Sequence, residues 1–339
     1  MSHPTPIQVA CRLLPTVCSP ACLVLASPST LQVPTHRSSF EFDLIFPPSA
    51  SQEEVFEALG RPLVADVLKG YNGTLFAYGQ TGSGKTYTMY GTEDCPGLVP
   101  RTAEAVFEAV ERQASEVEVS IKCAMMEIYK EQLRDLLDLS ASQALKIKET
   151  PCEGVYVEGL RSEWVTSPYE LTQVIEAALL TRVVSATHQN AHSSRSHLLC
   201  ILAIEQKLQN GTLQTGTFNL IDLAGSEKLR SFDSLSPSIE ETKKINYSLS
   251  VLGQVISALS NQAKHVPFRD SKLTRVLQES LGGNCKTTLV ACCAGAEMWV
   301  EDTLSTLKFA ERVRGIRNRV KVNTKQSAAT YESIICDLQ

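Results

Sequence analysis

Apolar residues along this 339-residue chain recur at two spacings, and each predicts a different element. Val55, Phe56, Leu59, Leu63 and Leu68 mark a helical face within 49–68, interrupted by Gly60 and Pro62. Ile245, Leu249, Leu252, Val255, Ile256 and Leu259 predict a long amphipathic helix over 240–259, and the pattern at 305–313 predicts another. Residues 74–78 and 288–294 are near-continuous apolar runs of the length of buried strands. Two longer apolar-rich stretches, 197–208 and 215–223, flank Asn210-Gly211, a pair suited to the positive φ values of a tight hairpin turn. Strands alternating with helices predict an α/β class with a central sheet covered on both faces. After about Val322 the chain turns polar and is expected to leave the domain.

Composition narrows the class. A hydrophobic share of 43% with 20% charged residues suits an ordinary folded domain with a sizeable core. No apolar run approaches membrane-spanning length, so no membrane insertion is expected. Residues 1–7 lack the basic-then-apolar plan of a signal peptide. Eleven scattered cysteines without a recurring metal spacing point to reduced thiols, a cytoplasmic setting and no structural metal. The net charge of -5 weighs against nucleic-acid binding.

Chemistry enters with Gly79-Gln80-Thr81-Gly82-Ser83-Gly84-Lys85-Thr86, which follows a predicted strand and opens a predicted helix. That is the setting of a phosphate-binding loop. Glycines let backbone N–H groups wrap an anion, and the helix N-terminus adds its positive dipole end. Lys85 is expected to reach the β- and γ-phosphate oxygens, and the Thr86 hydroxyl to ligate Mg²⁺. A glycine-rich turn that binds nothing fits neither the full pattern nor its flanks. Asp222-Leu223-Ala224-Gly225 ends an apolar strand, where a carboxylate can hold Mg²⁺ through water and the Gly225 N–H can meet a γ-phosphate. A strand-end Asp alone is also a common turn former. Asn190-Ala191-His192-Ser193-Ser194-Arg195-Ser196-His197 supplies hydroxyls and a guanidinium, the means to sense a terminal phosphate. By itself that stretch reads equally as a polar surface loop. No Asn-Lys-x-Asp segment for guanine occurs, so ATP is the expected nucleotide.

With these segments in hand, the chain resembles the kinesin motor family from about Ile7 to Asn323. Gly70-Tyr71-Asn72-Gly73-Thr74 leads through Phe76-Ala77-Tyr78 into the phosphate loop. Asn190 to His197, Asp222-Leu223-Ala224-Gly225-Ser226-Glu227, Val266 to Arg275 and Ser280-Leu281-Gly282-Gly283-Asn284 follow in the family's order. The resemblance implies a three-layer α/β/α P-loop NTPase with a central, mostly parallel mixed sheet. Residues 193–197 would be switch I, with Ser194 approaching Mg²⁺, and 222–227 switch II, with Gly225 on the γ-phosphate. Arg195 and Glu227 would latch the switches around the attacking water. An ion pair formed only in the closed state can order two loops at once; the plainer alternative is a surface salt bridge worth about 0–1 kcal/mol. Arg12 and Pro15 would pack on the adenine, with Tyr87 stacking nearby.

The resemblance also implies a microtubule-binding face around the helix that begins near Glu240 and the segment after it. Between Lys264 and Lys286, five basic residues (Lys264, Arg269, Lys272, Arg275, Lys286) face Asp270 and Glu279, a net of +3 in a chain of -5. Such a patch suits the acidic surface of tubulin, although charge clusters are usually just solvated faces.

Several positions depart from the family pattern. Leu14 stands where a second Arg usually precedes the proline, removing one cation from the base. Ser231 to Ser238 lacks the expected glycine and basic residues, Ala178 and Thr181 replace a common Gly and Asn, and Lys264 is the only lysine between Ser260 and His265.

The implied layout is a motor domain over 1–313, a neck linker over 314–325 and the start of a neck or stalk over 326–339. Tyr331, Ile335 and Leu338 are too few to predict a coiled coil, so an oligomer is expected only if a stalk outside this chain supplies it. The expected function is a microtubule-stimulated ATPase motor in the cytoplasm, attached to the microtubule cytoskeleton and moving toward plus ends. A weakly hydrolysing microtubule tether and a microtubule-end depolymerase are the alternatives.

Overall fold

The computed structural model describes residues 3–15, 22–113, 117–138, 144–150, 154–187, 194–227 and 239–326. A ten-stranded mixed sheet forms its middle layer. Its main path runs Glu163–Val165, Val117–Tyr129, His197–Leu208, Thr212–Asp222, Gly73–Tyr78, Lys286–Ala294, Gln8–Leu14 and Leu44–Phe46. Pairings from Thr212–Asp222 onward are parallel, and those before it are antiparallel. The parallel half comes from strands joined through helices, the antiparallel half from the hairpin that Asn210-Gly211 signalled. Gly211 takes a φ of 76°, the left-handed region that a side chain disfavours.

Alternation along the buried strands divides the interior into two cores. Phe76 and Tyr78 join one; Leu75 and Ala77 join the other. Ala291 and Cys293 separate from Val290 and Cys292 in the same way. This is why both runs read as continuous apolar sequence. On one face lie the helices Ile239–Ser260, Lys272–Val276 and Val300–Arg314; on the other lie Leu98–Gln113, Pro168–Thr187 and the 52–67 helical segment.

That last segment is continuous where the sequence predicts an interruption. Ser51 and Glu54 form a reciprocal capping box, and the chain passes through a π-helical turn, Phe56–Gly60, into Arg61–Val67. Gly60 allows it, because a Cβ there would lie 2.4 Å from the Phe56 ring. Pro62 follows directly on the π-helical turn, in the first turn of Arg61–Val67.

The C-terminal side also departs from expectation. Residues beyond Val322 do not leave the domain at once: Asn323–Gln326 pairs antiparallel with Thr212–Thr215. The Asn323 amide satisfies polar groups that hydropathy cannot register, donating to the Gly70 carbonyl at 3.0 Å and the Thr215 carbonyl at 3.2 Å. Upstream, Arg317–Val320 pairs with His3–Pro6.

Candidate nucleotide site

The strand Gly73–Tyr78 is buried throughout and delivers the phosphate loop to the middle of the sheet edge. Gly79 is required by close approach, since a Cβ would lie 2.3 Å from the Cys292 carbonyl. Gly82 and Gly84 hold φ values of 77° and 92°. The helix Lys85–Met89 starts directly after this turn. The cleft above it, about 310 Å³, is lined by Thr81, Gly82, Gly84, Lys85, Thr86, Tyr87, Ser194 and Leu223. That volume lies in the range of small-molecule sites.

Inside, polar groups are buried and incompletely satisfied. Lys85 donates to the Gln80 carbonyl at 2.9 Å. Desolvation lowers the Lys85 pKa, opposed by the charge of Asp222. Burial raises the Asp222 pKa, while a 2.6 Å hydrogen bond from the Thr86 hydroxyl to Oδ2 and the charge of Lys85 pull it back. Asp222 Oδ1, Ser83 Oγ and both amide atoms of Gln80 are buried without a partner among the described residues. A native interior carries few such orphans. A carboxylate with one unused oxygen beside a hydroxyl is a hard-oxygen donor set, which fits a cation such as Mg²⁺.

The two segments expected to be switches, around Ser194 and over 222–227, meet at the loop. Gly225 donates its N–H to the Ser194 carbonyl at 2.9 Å, and Ser226 donates to the Gly79 carbonyl at 3.1 Å. Glu227 accepts from the Thr81 N–H at 2.7 Å and from its hydroxyl at 2.6 Å. A Cβ on Gly225 would lie 2.3 Å from both Glu227 Oε2 and Thr81 Oγ1, so a side chain there would force these two groups to shift. Arg195 lies beside Ser194, partly exposed. Residues 190–193 and the 231–238 loop lie outside the described residues.

A smaller cavity of about 70 Å³ adjoins the cleft, with Arg12, Leu14, Pro15, Ser83, Gly84 and Tyr87 in its lining. Arg12 does not face it freely. Its guanidinium is buried and donates to Gln52 Oε1 at 2.7 Å and Thr88 Oγ1 at 3.1 Å, with Cζ 5.3 Å from the Tyr87 ring centre. Burial lowers its pKa.

Sequence reasoning missed the support beneath residues 194–197. Glu127 is buried on Val117–Tyr129 and accepts from Ser196 Oγ at 2.6 Å and Arg182 Nε at 3.3 Å. Arg182 also donates to the Ser196 hydroxyl at 2.9 Å and carbonyl at 3.2 Å. The one available signal was an Arg on a largely apolar helical stretch, 177–184.

Known proteins identify this arrangement. A family model described as the kinesin motor domain matches residues 25–316. The chain belongs to the kinesin motor family. It is 45% identical to kinesin-related protein 5 of Dictyostelium discoideum over 91% of its length, and 44% identical to a kinesin heavy chain of Botryotinia fuckeliana over 88%. It spans only about a third of those relatives, 32% and 34% respectively. A solved structure of a fast kinesin, described with implications for its ATPase mechanism and its interactions with microtubules, superposes with a TM-score of 0.88. It is 41% identical and covers 96% of this chain, which covers 95% of it. Membership places residues 25–316 within the kinesin motor domain class. No described helix is long and apolar enough to cross a membrane.

On the cationic face of this kinesin domain, the four singled-out residues differ. Lys264, Arg269 and Lys272 are exposed. Arg275 is not: its side chain is 15% exposed and bonds Glu149 at 2.6 Å, lowering that carboxylate's pKa. It anchors the hairpin strand Lys146–Thr150.

Proposed function

We propose that this domain hydrolyses Mg-ATP and couples each turnover to cyclic binding of microtubules, moving toward their plus ends from a cytoplasmic, cytoskeletal location. The supporting observation is the convergence of both switches on the phosphate loop, with Gly225 held by Ser194 and Glu227 by Thr81. Each of these contacts has an alternative partner in the proposed cycle. The Gly225 N–H exchanges the Ser194 carbonyl for the γ-phosphate. Glu227 exchanges Thr81 for Arg195, closing the switches and excluding bulk water.

Lys85 exchanges the Gln80 carbonyl for phosphate oxygens. A buried ammonium with few competing partners stabilises transferring charge more strongly than one in water. Thr86, Ser194 and Asp222 would hold Mg²⁺, which when bound neutralises phosphate charge. Ser194 and the Arg195–Glu227 pair position the attacking water, and the protein contributes orientation more than covalent chemistry. Lys264, Arg269 and Lys272 present charge to tubulin, while Arg275 shapes the surface from beneath. Residues 314–325 act as a neck linker whose docked form is the pairing of Asn323–Gln326. The segment's place after the last helix favours plus-end direction.

Steady-state ATP hydrolysis with and without stabilised microtubules tests the reading. Stimulation of about tenfold or more, roughly 1.4 kcal/mol of barrier, supports it. Retained pelleting without stimulation replaces it with the tether, and shortening of stabilised microtubules with the depolymerase. Gliding on polarity-marked filaments reads the direction.

A further inference from the structure

One buried side chain touches three parts of the proposed cycle at once. His197 is the last residue of the switch I motif and the first of the strand His197–Leu208, and it is 2% exposed. Its Nδ1 accepts the backbone N–H of Ala224 at 3.0 Å. Its Nε2 lies 2.8 Å from Ser248 Oγ. A backbone amide can only donate, so Nδ1 must be the acceptor, Nε2 carries the proton, and the Ser248 hydroxyl accepts. Ala224 precedes Gly225, whose N–H is held by Ser194. Ser248 lies on the long helix Ile239–Ser260, which contacts the segments Phe268–Asp270 and Lys272–Val276 that carry Arg269 and Lys272.

We propose that His197 is the positioning residue that transmits switch II movement to the long helix. The proposal rests on the motor reading above. An imidazole is rigid, and its two nitrogens point in nearly opposite directions, so it acts as a strut. Both bonds are buried, and displacing Ala224 would leave a donor without a partner unless the ring and Ser248 followed. Burial, with the charges of Arg182 and Lys85 adding to it, opposes protonation of the ring, so it acts as a neutral strut. The helix spans 22 residues, roughly 33 Å at 1.5 Å per residue, so a small push at Ser248 reaches a long stretch of surface.

The test separates coupling from folding. Ser248→Ala removes the helix end of the strut without touching the nucleotide site. Its basal ATPase and its KM for ATP should match the parent, while the microtubule-stimulated rate falls about fivefold or more. Ser248→Thr restores an acceptor and should restore stimulation. His197→Asn can keep an acceptor near Ala224 but cannot reach Ser248. Combined with Ser248→Ala, it should lower the stimulation ratio no further than either change alone. A folded Ser248→Ala domain with full stimulation, or a double variant whose losses multiply, overturns the strut. A parent domain without stimulation overturns the motor reading itself, which is a separate result.

Discussion

The two ends of the nucleotide cleft are built on opposite principles. At the phosphate end, Lys85, Asp222, Ser83 and Gln80 are buried, several of their atoms are unsatisfied, and three glycines clear the way for backbone contact. At the base end, Leu14, Pro15 and Tyr87 offer mainly apolar contact, and the one nearby cation, Arg12, is tied to Gln52 and Thr88. Hydrogen-bonding capacity is thus concentrated at the phosphate loop, and under the proposed reading packing would hold the base. A site with unpaired polar groups rejects a ligand lacking the matching atoms, whereas an apolar wall discriminates weakly.

Removing the phosphate end should have the largest effect. Lys85→Ala is expected to lower ATP hydrolysis about a thousandfold in a single-turnover assay, with the far-ultraviolet spectrum unchanged. Glu227→Ala comes next, at about a hundredfold in microtubule-stimulated turnover. A variant as fast as the parent would remove Glu227 from the latch.

Titration should also belong to the phosphate end. His197 is neutral in the fold, with its pKa lowered from 6.5 to about 3 by burial and by Arg182 and Lys85. The unfolded chain takes up that proton below 6.5, so this contribution to stability is whole above pH 6.5 and declines as pH falls toward about 3. Asp222, shifted upward from 3.8, acts in the opposite sense, favouring the fold at low pH and losing that contribution as pH rises. Urea unfolding between about pH 7 and 4.5 should therefore show a decline that His197→Asn flattens.

The smallest effect belongs to the base end. Leu14→Arg should tighten ATP about three- to tenfold by adding a cation to the base, measured by fluorescent-nucleotide displacement. Unchanged affinity in Leu14→Arg would mean that a cation at position 14 does not reach the base.

How legible each feature was follows from how local its cause is. The phosphate loop, the paired strands around Asn210-Gly211 and the helix carrying Ile245 to Leu259 each depend on neighbours within a few residues, and all were readable. The 52–67 segment was half readable: Gly60 and Pro62 signalled irregularity, but whether the chain breaks or bulges depends on the Phe56 ring lying against Gly60. Arg275 read as a surface cation because nothing near it in sequence announces Glu149.

By itself, the sequence determined the layered class, the strand–loop–helix that receives phosphate and the family. These rest on period, glycine conformations and contiguous motifs, all of which act over short range. Only the tertiary structure decided that Glu127, Arg182 and Ser196 form one buried network, that Glu227 rests on Thr81, and that His197 spans from Ala224 to Ser248. Those contacts join separate segments through hydrogen bonds whose directions depend on how strands and helices pack. No pattern of hydrophobic and polar positions encodes that geometry.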